Sequence, residues 1–408
     1  MKCVFCRLLP AFPSFALVLP CLATPKTGVF TREVGFEVVN TPFQTSPALL
    51  SPNGGWLAYA QKRPEAKRCV VFTDFQNARS RVIAGEPSSW SADSRVCAFS
   101  FGATPMGRQI GQRSGWELVW PASGRKRVIL LASSAQSLVE FAPKTRRLAL
   151  VQGFGNNRLR FWNGRKLSRG FDWGRVLQFP DWYRDEVSPS ALTWSTDERA
   201  LALRFYGHAE RMPGSAQHTA VFTFRGRHLR WLWSGETGEL KWLDSSRLMF
   251  KGDDEGLGGP VDLEVADVRA RGKRRRSRVW LSQVVAWTLS ARRDFVCALR
   301  ANGDLLRSST RRKRWQLLRR GIKQDKGESG FAPVMQVSPR ADMVALWNPE
   351  GGRGIALFST SSRRPWTISW RAPRTGASVV GWRQGQSLPL IEMQDKSFLL
   401  VQLSKSKK

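Results

Sequence analysis

One phrase returns along this chain about every 45 residues, and a period of that length means a row of supersecondary units. It runs Ser51-Pro52-Asn53-Gly54-Gly55-Trp56 and then an apolar stretch. It returns at 90–99, 141–150 and 194–203, each time behind an aromatic residue: Trp90, Phe141 and Trp194. Fainter copies occupy 242–250, 289–299 and 337–346, and a degenerate eighth starts at Trp382. Each copy reads as a strand end, a tight turn and a new strand. The aromatic residue closes the first strand, Ser, Pro, Asp and Gly supply turn chemistry, and the apolar run opens the next strand. An alanine recurs in that second strand at Ala58, Ala98, Ala149, Ala202 and Ala345, and one residue later at Ala298. A small residue at a fixed strand position predicts close approach to a neighbouring sheet, on strands near the axis of a radial array.

The spacing predicts a second strand after each anchor strand, at 70–75, 117–120, 158–162, 220–224, 262–268, 304–307, 354–358 and 397–403. A third follows in most modules, at 81–84, 127–131, 176–179, 230–234, 278–282, 315–318 and 366–370. Asn163-Gly164 and Asn302-Gly303 are the strongest turn signals, because both residue types tolerate positive φ. Four short strands per module, repeated, is the pattern of a β-propeller blade. The phrase resembles the Ser-Pro-Asp-Gly repeat of TolB-type and related WD40-like bacterial β-propellers, over residues 36–403. Ser-Pro survives only at Ser51-Pro52 and Ser338-Pro339, and only Asn53-Gly54 approximates Asp-Gly. The resemblance implies an all-β β-propeller; eight anchors give eight four-stranded blades, with seven the alternative. It implies nothing specific about activity, since such folds host unrelated functions. The last module lacks an outer strand after Leu403. Residues 35–40 are expected to supply it and close the ring, leaving no exposed terminal edges.

The N-terminus has the build of an export signal. Lys2 and Arg7 precede a mostly apolar stretch at 8–22, and Ala23 closes a small-residue cleavage site. The expected organisation is a signal peptide at 1–23, a lead-in at 24–35, the propeller at 36–403 and a basic tail at 404–408. This predicts a periplasmic or secreted protein, or a cytoplasmic one if the N-terminus is not cleaved. Lipidation at Cys21 is disfavoured by the preceding Pro20, and no transmembrane span is expected. Cys69, Cys97 and Cys297 remain after the signal, an odd number without metal-site spacing. Cys97 and Cys297 occupy positions where other copies carry Leu57, Leu148, Leu201 or Val344, so both read as buried apolar substitutes rather than a disulfide framework. The 18 Trp against 3 Tyr read as packing between blades.

Charge is the other constraint. The 408 residues carry 65 Lys+Arg against 32 Asp+Glu, a formal net charge of +33, which attracts polyanions. The densest basic runs fall between the second and third strands defined above. They include Arg125-Lys126-Arg127, Arg165-Lys166, the run at 271–278, the run at 311–314 and Arg363-Arg364. The anchor turns, which emerge at the same end, add Arg95, Lys144, Arg146, Arg147, Arg199, Arg247, Arg292, Arg293 and Arg340. Acidic clusters such as Asp253-Asp254-Glu255 fall in the other connections. The pattern predicts a disc with one basic face. The residues assigned to a polyanion are Lys273, Arg274, Arg275, Arg276, Arg311, Arg312 and Arg314. The plain alternative is that arginines solubilise hairpin tips.

Catalytic, cofactor and metal sites find no support. His208, His218 and His228 lie in one module but at different ends of its strands, and Asp253-Asp254-Glu255-Gly256 lacks the alternating ligands of a calcium loop. No Walker, dinucleotide or nucleophile-elbow pattern occurs, and no specific nucleic-acid motif. The reading is a non-catalytic exported scaffold that binds a partner protein or an anionic envelope polymer, with peripheral contact to anionic lipid a further option. The insertions at 101–115, 206–217 and 320–334 are the expected variable contacts. A propeller enzyme, a lyase or hydrolase acting at a central channel, is the alternative.

Overall fold

The computed structural model describes residues 29–34, 48–62, 68–74, 79–101, 114–132, 137–153, 157–178, 187–207, 217–225, 228–236, 238–252, 260–270, 277–322, 333–348, 354–361, 367–371, 378–383, 388–392 and 398–403. All pairing between strands is antiparallel, and the strands form successive meanders. The first is β2 (Leu49–Leu50), β3 (Trp56–Lys62), β4 (Arg68–Asp74) and β5 (Arg79–Ala84), after an N-terminal β1 (Val29–Val34). The second is β6 (Glu86–Trp90), β7 (Cys97–Phe101), β8 (Ser114–Trp120) and β9 (Arg125–Ala132). The third is β10 (Ser137–Phe141), β11 (Leu148–Gln152), β12 (Arg158–Trp162) and β13 (Phe171–Asp172), followed by α1 (Trp173–Val176). The fourth is β14 (Val187–Trp194), β15 (Ala200–Gly207), β16 (Gln217–Arg225) and β17 (His228–Glu236).

The fifth and sixth meanders share a strand. A seven-stranded sheet runs through β18 (Leu240–Trp242), β19 (Arg247–Lys251), β20 (Val261–Asp267), β21 (Arg278–Leu289), β22 (Phe295–Arg300), β23 (Leu305–Ser309) and β24 (Trp315–Arg319). The first part of β21 pairs with β20 and its last part with β22, with Val284 touching both partners. The seventh meander is β25 (Val334–Val337), β26 (Met343–Trp347), β27 (Gly354–Ser359) and β28 (Thr367–Arg371). The eighth is β29 (Ser378–Arg383), β30 (Leu388–Glu392) and β31 (Phe398–Leu403), to which β1 adds as a fourth strand. Among the described residues, every copy of the phrase spans the connection between the first and second strands of a meander.

Two expectations change. The strand that completes the eighth meander is Val29–Val34, paired from Val29 with Leu403 to Val34 with Phe398. It precedes the expected 35–40, which lie outside the described residues. Of the strand expected at 176–179, the described residues 176–178 form none, and 179 lies outside the described residues. The short β13 ends at Asp172, whose carboxylate accepts the Arg175 N–H at 2.9 Å and starts α1. Trp173 is then fully buried, and its indole donates to the Gln152 carbonyl at 3.0 Å. One buried indole outweighs the strand preference of the residues that follow it.

The chain divides into two compact units, one holding most of the second to sixth meanders and the other the first, seventh and eighth. In the first of these, each apolar layer is drawn from two consecutive meanders. Leu148 and Leu150 of β11 join Val96, Ala98 and Leu118 on one side; Ala149 and Val151 join Trp194, Leu201 and Leu203 on the other. This is period-two alternation with both faces buried. Ala98, Ala149 and Ala202, all fully buried, face the next meander, whereas Ala298, one residue later in its phrase, faces the fifth meander behind it. Ala98 shares a layer with Phe141, Ala149 with Trp194 and Ala202 with Trp242. Each makes room for the aromatic anchor of the following phrase. The anchors then bond back: Trp194 Nε1 donates to the Glu140 carbonyl at 3.1 Å, and Trp242 Nε1 to the Thr193 carbonyl at 3.2 Å. In the other unit, Gln336 Nε2 donates to the Val379 carbonyl at 3.4 Å, and Leu50 packs against Gly381.

Candidate functional site

The phrase builds a small hydrogen-bonded cage. Ser91 Oγ donates to Asp93 Oδ1 at 2.7 Å and accepts the Val96 N–H at 3.0 Å. Ser195 does the same with Asp197 and Ala200, and Ser51 with Asn53 and Trp56. In the seventh meander Arg340 holds the acidic position, and Ser338 bonds instead to Asp342 at 2.6 Å. Three residues after each serine the backbone is left-handed, at Gly54, Ser94, Glu198, Arg293 and Ala341. This is the conformation the glycine of the repeat supplies without a steric cost.

Neighbouring meanders are tied together at this end. Arg146 of the third meander pairs with Asp93 of the second at 2.7 Å, and Arg269 of the fifth with Asp197 of the fourth at 2.9 Å. Glu198 reaches back to the third, where its carboxylate accepts from Lys144 N, Thr145 N and Thr145 Oγ1 at 2.6–2.8 Å. Arg247 pairs with Asp244 at 2.6 Å and donates to the Thr310 carbonyl of the sixth meander. Burial works against the carboxylates of Asp93, Asp197 and Asp244, but hydrogen bonds from serine, arginine and backbone N–H outweigh it and hold all three below the usual range. Arg293 lies close to Asp244, and burial lowers its own basicity.

The hairpin from third to fourth strand emerges at the same end of each meander as the phrase turn, because the strands alternate in direction. Arg311, Arg312 and Arg314 sit there, between β23 and β24, and all are exposed. Among the described residues none of the three guanidinium groups has a carboxylate partner. Ser308 Oγ fixes this hairpin, donating to the Arg312 carbonyl and accepting the Arg314 N–H. Lys313 Nζ donates to the Val279 carbonyl at 2.8 Å, fastening the hairpin to the start of β21. Lys273, Arg274, Arg275 and Arg276 lie outside the described residues, between β20 and β21. The interiors of the three long insertions, Asp253, Asp254, Glu255 and His208 also lie outside them.

His218 and His228 stand at opposite ends of the β16–β17 pair, and His218 stacks on Phe205 at 5.8 Å. Cys97 and Cys297 are fully buried free thiols; burial pushes Cys97 far up and Cys297 to about 12. Sequence reasoning missed Glu198, whose partners lie 53 and 54 residues away. It also missed Glu140, which burial pushes up to about 7 against a hydrogen bond with Ser89. Nothing in the local pattern marks either. Among the described residues no helix is long and apolar enough to cross a membrane.

No family model and no curated protein matches the chain. Solved structures do. The C-terminal WD40 domain of Sif2 matches with a TM-score of 0.52 and 12% identity, over 92% of this chain and 98% of that one. The β-propeller domain of Cps50 (Swd1) from Myceliophteria thermophila matches at 0.48 and 14%, over 79% and 100%. TolB from Acinetobacter baumannii matches at 0.39 and 12%, over 80% of this chain and 65% of TolB. Identities this low speak to the fold alone. With the meanders described above, the match to the Sif2 domain supports the class of the fold: a WD40-like β-propeller.

Proposed function

We propose that this protein is a non-catalytic interaction scaffold, exported through cleavage after Ala23, that binds an anionic polymer through the hairpins at one end of its meanders. In this reading the eight meanders are eight blades, and β1 closes the ring beside β31. One observation carries the ligand assignment. Arg311, Arg312 and Arg314 are exposed without a carboxylate partner among the described residues, while Asp244, in the phrase turn that bonds to Thr310, is paired with Arg247. The bond from Lys313 to Val279 supports a joint site. Chain continuity keeps Arg276 within about 11 Å of Val279, so the run Lys273, Arg274, Arg275 and Arg276 adds to the same local field. Binding is electrostatic and falls as salt displaces the polymer.

The test is affinity for long-chain inorganic polyphosphate across a salt series. Reversing the charge of Lys273, Arg274, Arg275, Arg276, Arg311, Arg312 and Arg314 should weaken binding at least tenfold at low salt. It should also flatten the salt slope, by about 0.7 per lost contact if the polymer behaves as a single-stranded polyanion. Unchanged affinity and slope would reject the reading. N-terminal sequencing of the native protein tests export; a first residue of Thr24 is expected, and an intact Met1 would refute it.

A further inference from the structure

A second cationic group lies on the hairpins of the second and third meanders. Arg125, Lys126 and Arg127 open β9, while Arg165 and Lys166 follow β12. The two loops touch: the Arg127 guanidinium donates to the Arg165 carbonyl. Asn163 Oδ1 accepts the N–H groups of Arg165 at 3.0 Å and Lys166 at 3.1 Å, which fixes the second loop. The Arg125 guanidinium lies over Trp120, 5.1 Å from the ring centre. Arg125, Lys126, Arg165 and Lys166 are exposed. Among the described residues no carboxylate pairs with any of the five.

This differs from the phrase turns of the same unit, where Arg146 and Arg247 each have an aspartate, and from the third-to-fourth hairpin of the fifth meander, where Arg269 pairs with Asp197 of the fourth. Two loops packed together with like charges and no counter-charge are unfavourable until an anion arrives. Both this group and the Arg311 hairpin stand at the phrase-turn end of their meanders. The phrase turns of the second to fourth meanders bond to one another in succession, Asp197 of the fourth accepts from Arg269 in the third-to-fourth hairpin of the fifth, and the phrase turn of the fifth bonds to the corresponding hairpin of the sixth at Thr310. Between the two groups stand the fourth and fifth meanders, whose Asp197, Glu198 and Asp244 are engaged internally. Three meander-to-meander steps of about 10 Å each, from the third to the sixth, put the groups on the order of 30 Å apart. A compact anion cannot reach both.

We infer that the ligand is a linear phosphate polymer, which bridges two anchors: Arg125, Lys126, Arg165 and Lys166 at one, Arg311, Arg312 and Arg314 at the other. This rests on the polyanion reading above. Each anchor alone holds a short anion weakly. A chain long enough to span them converts the second contact into an intramolecular one, which raises affinity by 10²–10⁴-fold.

The experiment compares long-chain inorganic polyphosphate with tripolyphosphate at equal total phosphate, using the full-length protein. The unaltered protein is expected to bind the long chain about a hundredfold more tightly. Replacing one anchor (Arg125→Gln, Lys126→Gln, Arg165→Gln and Lys166→Gln) should remove most of that advantage and leave tripolyphosphate binding at the other anchor. Circular dichroism checks that this variant is folded, and the length comparison on the unaltered protein needs no variant. Equal affinity for the two phosphates would overturn the bridge and leave the polyanion reading standing. So would a length advantage that survives loss of the first anchor. No binding of either phosphate would overturn both, as would capture by anionic phospholipid vesicles alone.

Discussion

The phrase turns of the second and third meanders occupy the same place in their sheets, yet they are held together differently. The second carries its own acid and anchor: Ser91 and Asp93 close the cage from within. The third has lost both, with Ala142 in the serine position and Lys144 in the aspartate position. Its backbone N–H groups at Lys144 and Thr145 are instead satisfied by Glu198, sent across from the fourth meander. Glu198 occupies the left-handed position of its own turn (φ 58°), where the parent phrase has glycine. A slot that needs only a conformation has thus been filled by a side chain with a second task. A degenerate repeat need not be a weak one, because the missing group can come from the next unit. The cost is that two meanders now depend on one residue.

That dependence is the easiest part of the comparison to break. Glu198→Ala removes three acceptor contacts and leaves two backbone donors without their partner, a loss expected to cost about 3 kcal/mol. Asp93→Ala, in the self-sufficient turn, is expected to cost about 1 kcal/mol, since Ser91 still caps the Val96 N–H. Glu198→Gly separates the two roles of the residue. It loses the same acceptors but relieves a left-handed strain of about 1 kcal/mol, so it should be less damaging than the alanine variant. Urea midpoints at constant slope measure all three. Equal losses for Glu198→Ala and Asp93→Ala would mean that the borrowed carboxylate is dispensable.

The seventh meander sharpens the conformational half of the argument. Ala341 sits at the same left-handed position (φ 62°) with no side chain reaching a neighbour. Ala341→Gly should therefore stabilise the protein by about 0.5 kcal/mol. That is what remains after glycine's larger unfolded-state entropy is set against the strain relieved. A destabilised variant would show that the position is not strained.

What the sequence made legible follows the range of each interaction. Serine, aspartate and glycine act within five residues, so the phrase announced its turns, the strands that flank them and the propeller fold. Ala98, Ala149 and Ala202 were readable as sites of close approach because their spacing is fixed, although the aromatic anchor they accommodate belongs to the next repeat. Interactions across the chain were not readable. Val29–Val34 is a strand because Phe398–Leu403 lies beside it. The local cap of Asp172 starts α1, but the burial of Trp173 against Gln152, 21 residues away, is what places it there. At the candidate site, composition located Arg311, Arg312 and Arg314 on an exposed hairpin. That Arg127 brings its loop against Arg165 depends on two sheets packing, which no spacing within one module encodes.

The smallest expected effect is one of pH, and it returns to the self-sufficient turns. Asp93 and Asp197 have carboxyls held below the usual range in the folded chain: burial opposes ionisation, but bonds from serine, arginine and backbone N–H exceed it. A depressed folded value means that the unfolded chain takes up protons first. The contribution of these groups is therefore complete above the unfolded value, about 3.9, and is lost as pH falls through the folded one. Both side chains are partly exposed, so solvent screens much of the effect. The unaltered protein should be more stable than Asp93→Asn or Asp197→Asn above about pH 5, and the gap should close as the solution is taken below about pH 3. Urea midpoints across that range give the result. A gap that stays constant with acid would mean that the cages are held by hydrogen-bond geometry alone, with no contribution from the charge on their aspartates.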